Sequence, residues 1–98
     1  MTKAEVINKI SDQTGMDKME VTSIIESFFT TVKGSMAEGN NIYIRGFGTF
    51  LNKKKAKKIA RNISKNTAMV IDEHFAPKFK PSPEFITMIK NSSSIAAK

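Results

Sequence analysis

The strongest constraint on the fold of this chain is a short extended segment that carries lysine on both of its faces. The charged residues of the segment are Lys53, Lys54, Lys55, Lys57 and Lys58. Side chains of a β-strand alternate between two faces, so neither face of this segment could pack against a core. We therefore predict that residues 52–74 leave the globule as a β-hairpin arm, whose tip lies near residues 63–65, where turn-forming side chains cluster.

The residues before this segment predict a helical hairpin. Thr2 and Glu5 have the spacing of a capping box, and apolar residues at helical spacing follow, which predicts a first helix from about Lys3 to Thr14. Asp17 caps a second helix in the same way, and its apolar stripe continues to about Glu38. Both stripes need a further partner surface, because two helices alone leave part of each stripe open to water.

A change of apolar period from 3.6 to 2 after Gly39 predicts a sheet. Ile42 to Ile44 form one strand, and a reversal at Gly46-Phe47-Gly48 leads into a second strand at residues 49–51. After the arm, Ser82 caps a short third helix. The aromatic residues that lie on helical stripes, and that we therefore expect in the core, are Phe28, Phe29 and Phe85.

The predicted fold class is α+β: an N-terminal helical hairpin, a three-stranded antiparallel sheet that extends into a long basic β-hairpin arm, and a short C-terminal helix. The chain forms a single domain of 98 residues, because no linker or repeat interrupts it. Its parts are the helical hairpin and start of the sheet (1–51), the arm (52–74), the return segment and terminal helix (75–91) and a flexible tail (92–98). A core this small is marginal, so we expect an oligomer.

The charge of the chain is local. The window from Gly39 to Ile71 holds eight Lys or Arg and no Asp or Glu, whereas the rest holds eight basic and nine acidic residues. An acid-free basic segment in an otherwise neutral domain is typical of a protein that binds a polyanion, with nucleic acid as the first candidate. The alternative is a solvated basic surface or a localisation signal, but a hairpin that is basic on both faces fits a groove lined by phosphates.

Other classes of function lack the residues that they require. The chain has no Cys and a single His, His74, without a metal-binding partner in the sequence, so we expect no metal, cofactor or disulfide. No nucleophile with its base and no pair of carboxylates suggests an enzyme. The sequence shows neither a membrane-spanning apolar run nor a leader, so we expect a cytoplasmic protein.

Three motifs resemble those of the bacterial HU/IHF family of histone-like DNA-binding proteins, and those of HU more than those of integration host factor. They are Gly46-Phe47-Gly48-Thr49-Phe50, Arg61-Asn62 and Pro77-Lys78-Phe79-Lys80-Pro81. The resemblance covers residues 1–90. It implies an intertwined homodimer, or a heterodimer with a paralogue. The two arms of the dimer embrace double-stranded DNA through the minor groove, and bend and compact it in the nucleoid with low sequence specificity.

The resemblance also implies which residues carry each role. Those expected to contact DNA are Arg45, Lys53, Lys54, Lys55, Lys57, Lys58, Arg61, Asn62, Ile63, Lys65, Lys78 and Lys80. Those expected at the dimer interface are Phe29, Ile44, Phe47, Phe50 and Phe79. At the arm tip, Ile63 replaces the usual proline of the family. We expect Ile63 to be the wedge that enters between base pairs, the alternative being that it packs on the arm itself.

Two other binding functions stay open at this point. A site-specific DNA-bending protein like integration host factor would prefer a defined site over random DNA. An RNA or polyanion binder would use exposed rings of Phe47, Phe50 or Phe79 to stack on single-stranded bases. Burial of these rings at an interface between two copies argues against stacking, because a buried ring does not reach a base.

Overall fold

The computed structural model describes residues 1–62 and 67–96, and these residues form an α+β fold with the predicted order of elements. The helices are α1 (Lys3–Thr14), α2 (Lys18–Ala37), α3 (Pro83–Lys90) and α4 (Ser93–Ala96). The strands are β1 (Ile42–Ile44), β2 (Gly48–Lys55), β3 (Lys58–Asn62), β4 (Thr67–Ile71) and β5 (His74–Pro81). The predicted fold class is thus confirmed.

The helical hairpin begins and ends close to the predicted residues. The Thr2 hydroxyl oxygen accepts a hydrogen bond from the Glu5 amide at 3.2 Å, and Gly15 ends α1 in the left-handed conformation, at φ 75°. The prediction that the Asp17 side chain caps α2 is wrong, because it forms no such hydrogen bond. The Val21 amide still donates to the Asp17 carbonyl at 3.0 Å, as the Val6 amide does to the Thr2 carbonyl in α1, and the Asp17 side chain is exposed.

Two antiparallel sheets follow the hairpin. β1, β2 and β5 form a three-stranded sheet with β2 in the centre, whereas β3 and β4 form a separate two-stranded sheet, which we call the outer hairpin. Strand pairing is interrupted between the two sheets, at residues 56–57 and 72–73. The predicted arm therefore differs in one respect: residues 52–55 belong to the three-stranded sheet, and the outer hairpin begins at Lys58.

Asn52 explains why the start of the predicted arm stays with the body. Its backbone amide donates to the Asn41 side-chain oxygen at 3.0 Å. Its side-chain Nδ2 donates to the Met36 carbonyl at 3.0 Å and lies 3.4 Å from the Asn40 carbonyl. Met36 lies in the last turn of α2, and its carbonyl also accepts a hydrogen bond from the Gly39 amide at 2.9 Å. The hydrogen bonds of Asn52, the Asn52 clamp, tie β2 to the end of α2 just before the lysines begin.

The terminal helix begins as predicted, and a single helical turn follows it. Ser82 is buried, its hydroxyl oxygen accepts from the Phe85 amide at 3.2 Å, and a proline follows it at the first position of α3. Residues Ser93–Ala96 form the single turn α4, and the flexibility expected of residues 92–98 stays a prediction. A hydrogen bond from the Ser92 amide back to α3 keeps the backbone turning before α4.

A single chain buries little of its apolar surface. Among the described residues, the buried hydrophobic side chains are Ile7 and Val21. The accessible surface is 8258 Å², against about 5,600 Å² for a compact monomer of this mass. Phe28 and Phe29 are 40% and 47% exposed, so the prediction that they lie in the core is wrong for a single chain. The rest of the chain covers these two rings only in part.

Candidate nucleic-acid interface

One face of the three-stranded sheet gathers four lysines from two strands. The cross-strand partners on this face are Thr49 with Lys80, Leu51 with Lys78, Lys53 with Ala76, and Lys55 with His74. Partners and alternate residues of antiparallel strands share a face, so the four lysines project to one side. We call this surface the lysine face, and its members Lys53, Lys55, Lys78 and Lys80 are all exposed.

Like charges crowd the lysine face. The close approach of Lys53, a like charge, lowers the pKa of Lys78, and desolvation, Lys55 and Lys80 make smaller contributions. The lowered pKa means that these neighbours disfavour the ammonium form of Lys78. A bound polyanion relieves the repulsion, because phosphates placed between the ammonium groups attract each of them. The lysine face is thus suited to a row of phosphates.

The opposite face of the same sheet is aromatic. Phe50 and Phe79 are cross-strand partners there, with ring centroids 5.0 Å apart. The Phe47 ring lies 5.0 Å from the Phe79 ring and stacks on Phe85 at 5.3 Å. This aromatic face, formed by Phe47, Phe50, Phe79 and Phe85, points away from the lysine face. Its rings do not reach the bases of a nucleic acid that lies across the lysines, so the geometry disfavours the RNA-binding alternative.

Gly48 is required by the close packing at the start of β2. A Cβ built on Gly48 lies 2.5 Å from the Lys80 carbonyl oxygen and 2.6 Å from the nearest atom of the Phe79 ring. Both distances are far shorter than a van der Waals contact, and one of the two atoms belongs to the backbone. A larger residue at this position would push β5 and the Phe79 ring away from β2. The lysine face would be disturbed, because each of these two strands carries two of its lysines.

The other basic residues expected to contact DNA are not all on the lysine face. Lys54 projects to the opposite side, where its ammonium lies 3.3 Å from a carboxylate oxygen of Glu73. Arg45 lies in the exposed turn after β1, and Lys57 lies in the interruption before β3, which begins at Lys58. The structure therefore divides the basic residues into a cluster on the sheet and others around it.

The arm tip includes residues that the structure does not describe. Arg61 and Asn62 are the last residues of β3. Ile63 and Lys65 lie outside the described residues, so the role of Ile63 as a wedge stays a prediction. Of the expected interface residues outside the aromatic face, Ile44 is half-buried in β1, and Phe29 is the exposed ring described above.

Two further residues share the side of the sheet that carries the lysine face, and the sequence analysis did not name them as candidates. Tyr43 is the cross-strand partner of Thr49, and it is 71% exposed. The alternation of β1 could have indicated this, because its neighbours on either side are apolar. His74 reaches the same face as the partner of Lys55. No local pattern indicates that position, since it depends on the register between two strands that are distant in sequence.

Two other kinds of site find no support in the part of the chain that the structure describes. Across residues 1–62 and 67–96, no three His, Asp or Glu side chains converge in a way that could hold a metal ion. No helix in these ranges is long and apolar enough to cross a bilayer. Among the described residues, the lysine face is therefore the strongest candidate for a binding surface.

Comparisons with known proteins agree with this geometry. The family described as "Bacterial DNA-binding protein" matches residues 1–90. Integration host factor subunit alpha of Anaeromyxobacter sp. (strain Fw109-5) is 30% identical over 96 residues, which cover 98% of this chain and 93% of that protein. DNA-binding protein HU of Buchnera aphidicola subsp. Baizongia pistaciae (strain Bp) is 33% identical over 90 residues, which cover 92% and 98%. In fold, the chain matches HU in the Anabaena HU–DNA cocrystal structure with a TM-score of 0.88, at 20% identity, over 94% of this chain and 100% of that one.

Proposed function

The chain belongs to the bacterial DNA-binding protein family, and from this premise we propose that it is a histone-like protein that binds double-stranded DNA with low sequence specificity. In this role it bends and compacts DNA as part of the nucleoid. The role is architectural, because it needs a shaped and charged surface and no chemical step. The predicted partners are a DNA duplex and a second copy of this chain or of a paralogue.

The observation that carries this proposal is the lysine face. Lys53 and Lys55 are two residues apart on β2, which separates them by about 6.7 Å along the strand, and Lys78 and Lys80 repeat this spacing on β5. Each strand of a duplex carries one phosphate per about 3.4 Å of its axis, so ammonium groups at this spacing each have a phosphate within reach. Ammonium groups on phosphates fix the position of a duplex without reading its bases, which accounts for low specificity.

The exposed apolar surface supports the proposal of a dimer. On the aromatic face Phe47 is 42% exposed, and on α2 Phe28 and Phe29 are 40% and 47% exposed. Soluble monomers rarely leave large contiguous apolar patches in water. A second copy would bury these rings, and the intertwined arrangement of the family brings two lysine faces and two arms to one DNA duplex.

A site-specific DNA-bending role is the second candidate. It is favoured by the names of relatives at similar identity: integration host factor subunit beta of Photobacterium profundum is 35% identical over 85 residues, which cover 86% of this chain and 88% of that protein. HU of Buchnera aphidicola is 33% identical. The lysine face argues for the first candidate, because its ammonium groups offer phosphate contacts, which do not distinguish one base sequence from another.

A competition assay at several salt concentrations tests both candidates. A labelled random-sequence duplex is displaced by unlabelled straight, nicked and pre-bent duplexes, by single-stranded RNA, and by a pool of duplexes selected for tight binding. We expect bent and nicked duplexes to compete best. The affinity for the selected pool should be only slightly higher than the affinity for random DNA. If the selected pool binds about a thousandfold or more tightly than random DNA, the low-specificity proposal is overturned, because specific binding is typically about 10³- to 10⁷-fold tighter than non-specific binding. RNA that displaces the duplex at equal concentration would overturn the preference for duplex DNA.

A further inference from the structure

A hollow of about 530 Å³ lies where strand pairing is interrupted between the three-stranded sheet and the outer hairpin. Its lining residues are Lys55, Ala56, Lys57, Lys58, Ile71 and His74. We call it the junction hollow. Every charged or titratable side chain in this lining is basic, and the single histidine of the chain is among them. The position of this histidine beside three lysines is not explained by the fold or by the contacts described above.

The His74 ring has one nitrogen already engaged. Its Nδ1 lies 3.0 Å from the carbonyl oxygen of Asp72, and because a carbonyl only accepts, Nδ1 carries the hydrogen. In the neutral ring Nε2 then has a lone pair and no hydrogen, so it repels an anion. When the ring takes up a proton, Nε2 becomes a charged donor. A contact between Nε2 and a phosphate oxygen therefore requires protonated His74.

The charges around His74 favour an anion in the hollow. Lys55 faces it across the β2–β5 pair, and Lys57 and Lys58 line the hollow with it. The nearest acidic side chains belong to Asp72 and Glu73, in the interruption before β5.

Neither acidic group provides the missing negative charge in the hollow. The Glu73 carboxylate is bound by Lys54 at 3.3 Å, and Lys54 projects from the side opposite the lysine face. Asp72 contacts His74 through its main-chain carbonyl, and the hollow lining does not include its side chain. An external anion is therefore the group that would complete the hollow.

We propose that the junction hollow seats one phosphate group of the DNA backbone, held by Lys55, Lys57, Lys58 and protonated His74, so that DNA binding takes up a proton at this histidine. This rests on the proposed function and adds a binding residue and a pH dependence to it. The coupling is reciprocal: DNA favours the protonated ring, and acid conditions favour bound DNA. The affinity for duplex DNA should therefore increase as the pH falls through the range in which imidazoles gain a proton, between about pH 8 and 5.

The test measures duplex affinity of the whole protein at about pH 5.5 and about pH 8 for the parent, His74→Gln and His74→Lys. Glutamine stays neutral at both values, whereas lysine stays charged at both. We expect the parent to gain about twofold to fivefold more than His74→Gln on acidification, the size of one exposed charge contact. His74→Lys should bind more tightly than the parent at about pH 8 and respond to pH as weakly as His74→Gln.

Lys33→Gln is the matched control, because it changes one exposed charge on α2, outside the lysine face and the hollow. It should keep the pH response of the parent. Equal pH responses of the parent and His74→Gln, with duplex binding intact, would overturn the phosphate seat and leave the proposed function standing. Failure of the parent to bind duplex at either pH would overturn the proposed function instead.

Proton NMR of the single histidine separates the two sources of phosphate. With saturating duplex, the ring should keep its proton to higher pH than in the free protein. With inorganic phosphate alone at millimolar concentration, a similar but smaller change would show that the hollow recognises phosphate itself. A histidine signal that titrates identically with and without both probes would overturn the phosphate seat even if the protein binds DNA.

Discussion

The lysine face and the aromatic face lie on opposite sides of the sheet, and alternate residues of β2 and β5 contribute to each of them, yet the two faces interact with solvent in opposite ways. On one face, charged side chains stay in water, where they repel one another until an anion arrives. On the other, four phenylalanine rings pack together and remain incompletely covered in a single chain. Because successive side chains of a strand point to opposite sides, a single sheet can carry charged side chains on one face and aromatic rings on the other.

This difference predicts that salt changes the interactions of the lysine face, whereas loss of apolar contacts changes the packing of the aromatic face. Electrostatic binding weakens as salt releases and replaces counterions, whereas the packing of apolar rings depends on the area removed from water. A substitution on the lysine face should therefore change DNA affinity and leave stability nearly unchanged. A substitution on the aromatic face should change stability first.

The largest expected effect is the salt dependence of DNA binding. If the proposed dimer contacts roughly 6 to 10 phosphates, its affinity should fall about 10³- to 10⁵-fold between about 50 and 200 mM salt. Replacing Lys53, Lys55 and Lys78 by Ala together should make this dependence much flatter. The control replaces three helix lysines, Lys9, Lys33 and Lys90, and should keep the slope of the parent. Fluorescence anisotropy at four salt concentrations measures the slope. A parent affinity that does not change with salt would contradict the role of the lysine face.

The second effect is on stability, and it isolates the aromatic face. Phe79→Ala should lower the free energy of unfolding by about 3 to 5 kcal/mol, the usual cost of removing a large buried ring. Phe75→Ala is the matched control on the same strand, because Phe75 is 67% exposed and outside the ring cluster, and it should cost well under about 1 kcal/mol. Denaturant unfolding at two protein concentrations measures both values. Unfolding that is independent of protein concentration would contradict the dimer.

The third effect compares two glycines. Gly48→Ala should destabilise the protein by about 1 to 3 kcal/mol, because its Cβ has no room against β5. Gly34→Ala, in the interior of α2 where a Cβ meets nothing within 4 Å, should stabilise it by about 0.5 to 1 kcal/mol. Thermal unfolding of the two variants side by side gives the sign of each change. A Gly48→Ala variant as stable as the parent would show that β2 and β5 can separate freely.

A smaller effect tests whether the arm tip acts independently of both faces. Ile63→Ser should reduce the bend angle and remove most of any preference for nicked duplex, up to about tenfold, because unstacking a base step needs an apolar wedge. The salt dependence should stay that of the parent, since no lysine changes. Energy transfer between dyes at the two DNA ends reports the bend. Unchanged bending by the Ser variant would exclude Ile63 as the wedge.

The smallest expected effect compares two neighbouring lysines. Lys55→Gln should lower the slope of log affinity against log salt by about 0.9 for each phosphate that is no longer neutralised. Lys54→Gln should leave the slope nearly unchanged, because Lys54 projects from the opposite side and pairs with Glu73. The two variants have the same charge and differ by one position. Equal slopes would show that DNA wraps both sides of β2, and the separation of the two faces would then fail as an account of binding.

Features set by neighbouring residues were predictable from the sequence. The Thr2 cap, the Gly15 stop and the Ser82 cap are local signals, and the helices begin or end beside them. The exposure of the lysines was predictable in the same way, because a strand that is charged on both faces can bury neither of them in a core.

Features that depend on contacts distant in sequence were not predictable. The pairing of Lys55 with His74 follows from the register of β2 and β5, which no short motif specifies. The position at which the arm separates depends on the Asn52 clamp, which joins a strand residue to the end of a helix. The exposure of Phe29 was missed because periodicity identifies an apolar face without saying whether the same chain covers it.

The interruption of strand pairing divides the arm into two segments, residues 52–55 with their β5 partners and the outer hairpin. Residues 52–55 are held by the Asn52 clamp and by pairing with β5, so strand pairing restrains the chain least at residues 56–57 and 72–73. The outer hairpin has strands of five residues, a length of about 17 Å. A rotation of about 20° at the interruption would displace its far end by about 6 Å, which is about the width of the minor groove. A rotation of this size would let the outer hairpin follow a groove of variable width while the lysine face stays in contact with the DNA phosphates.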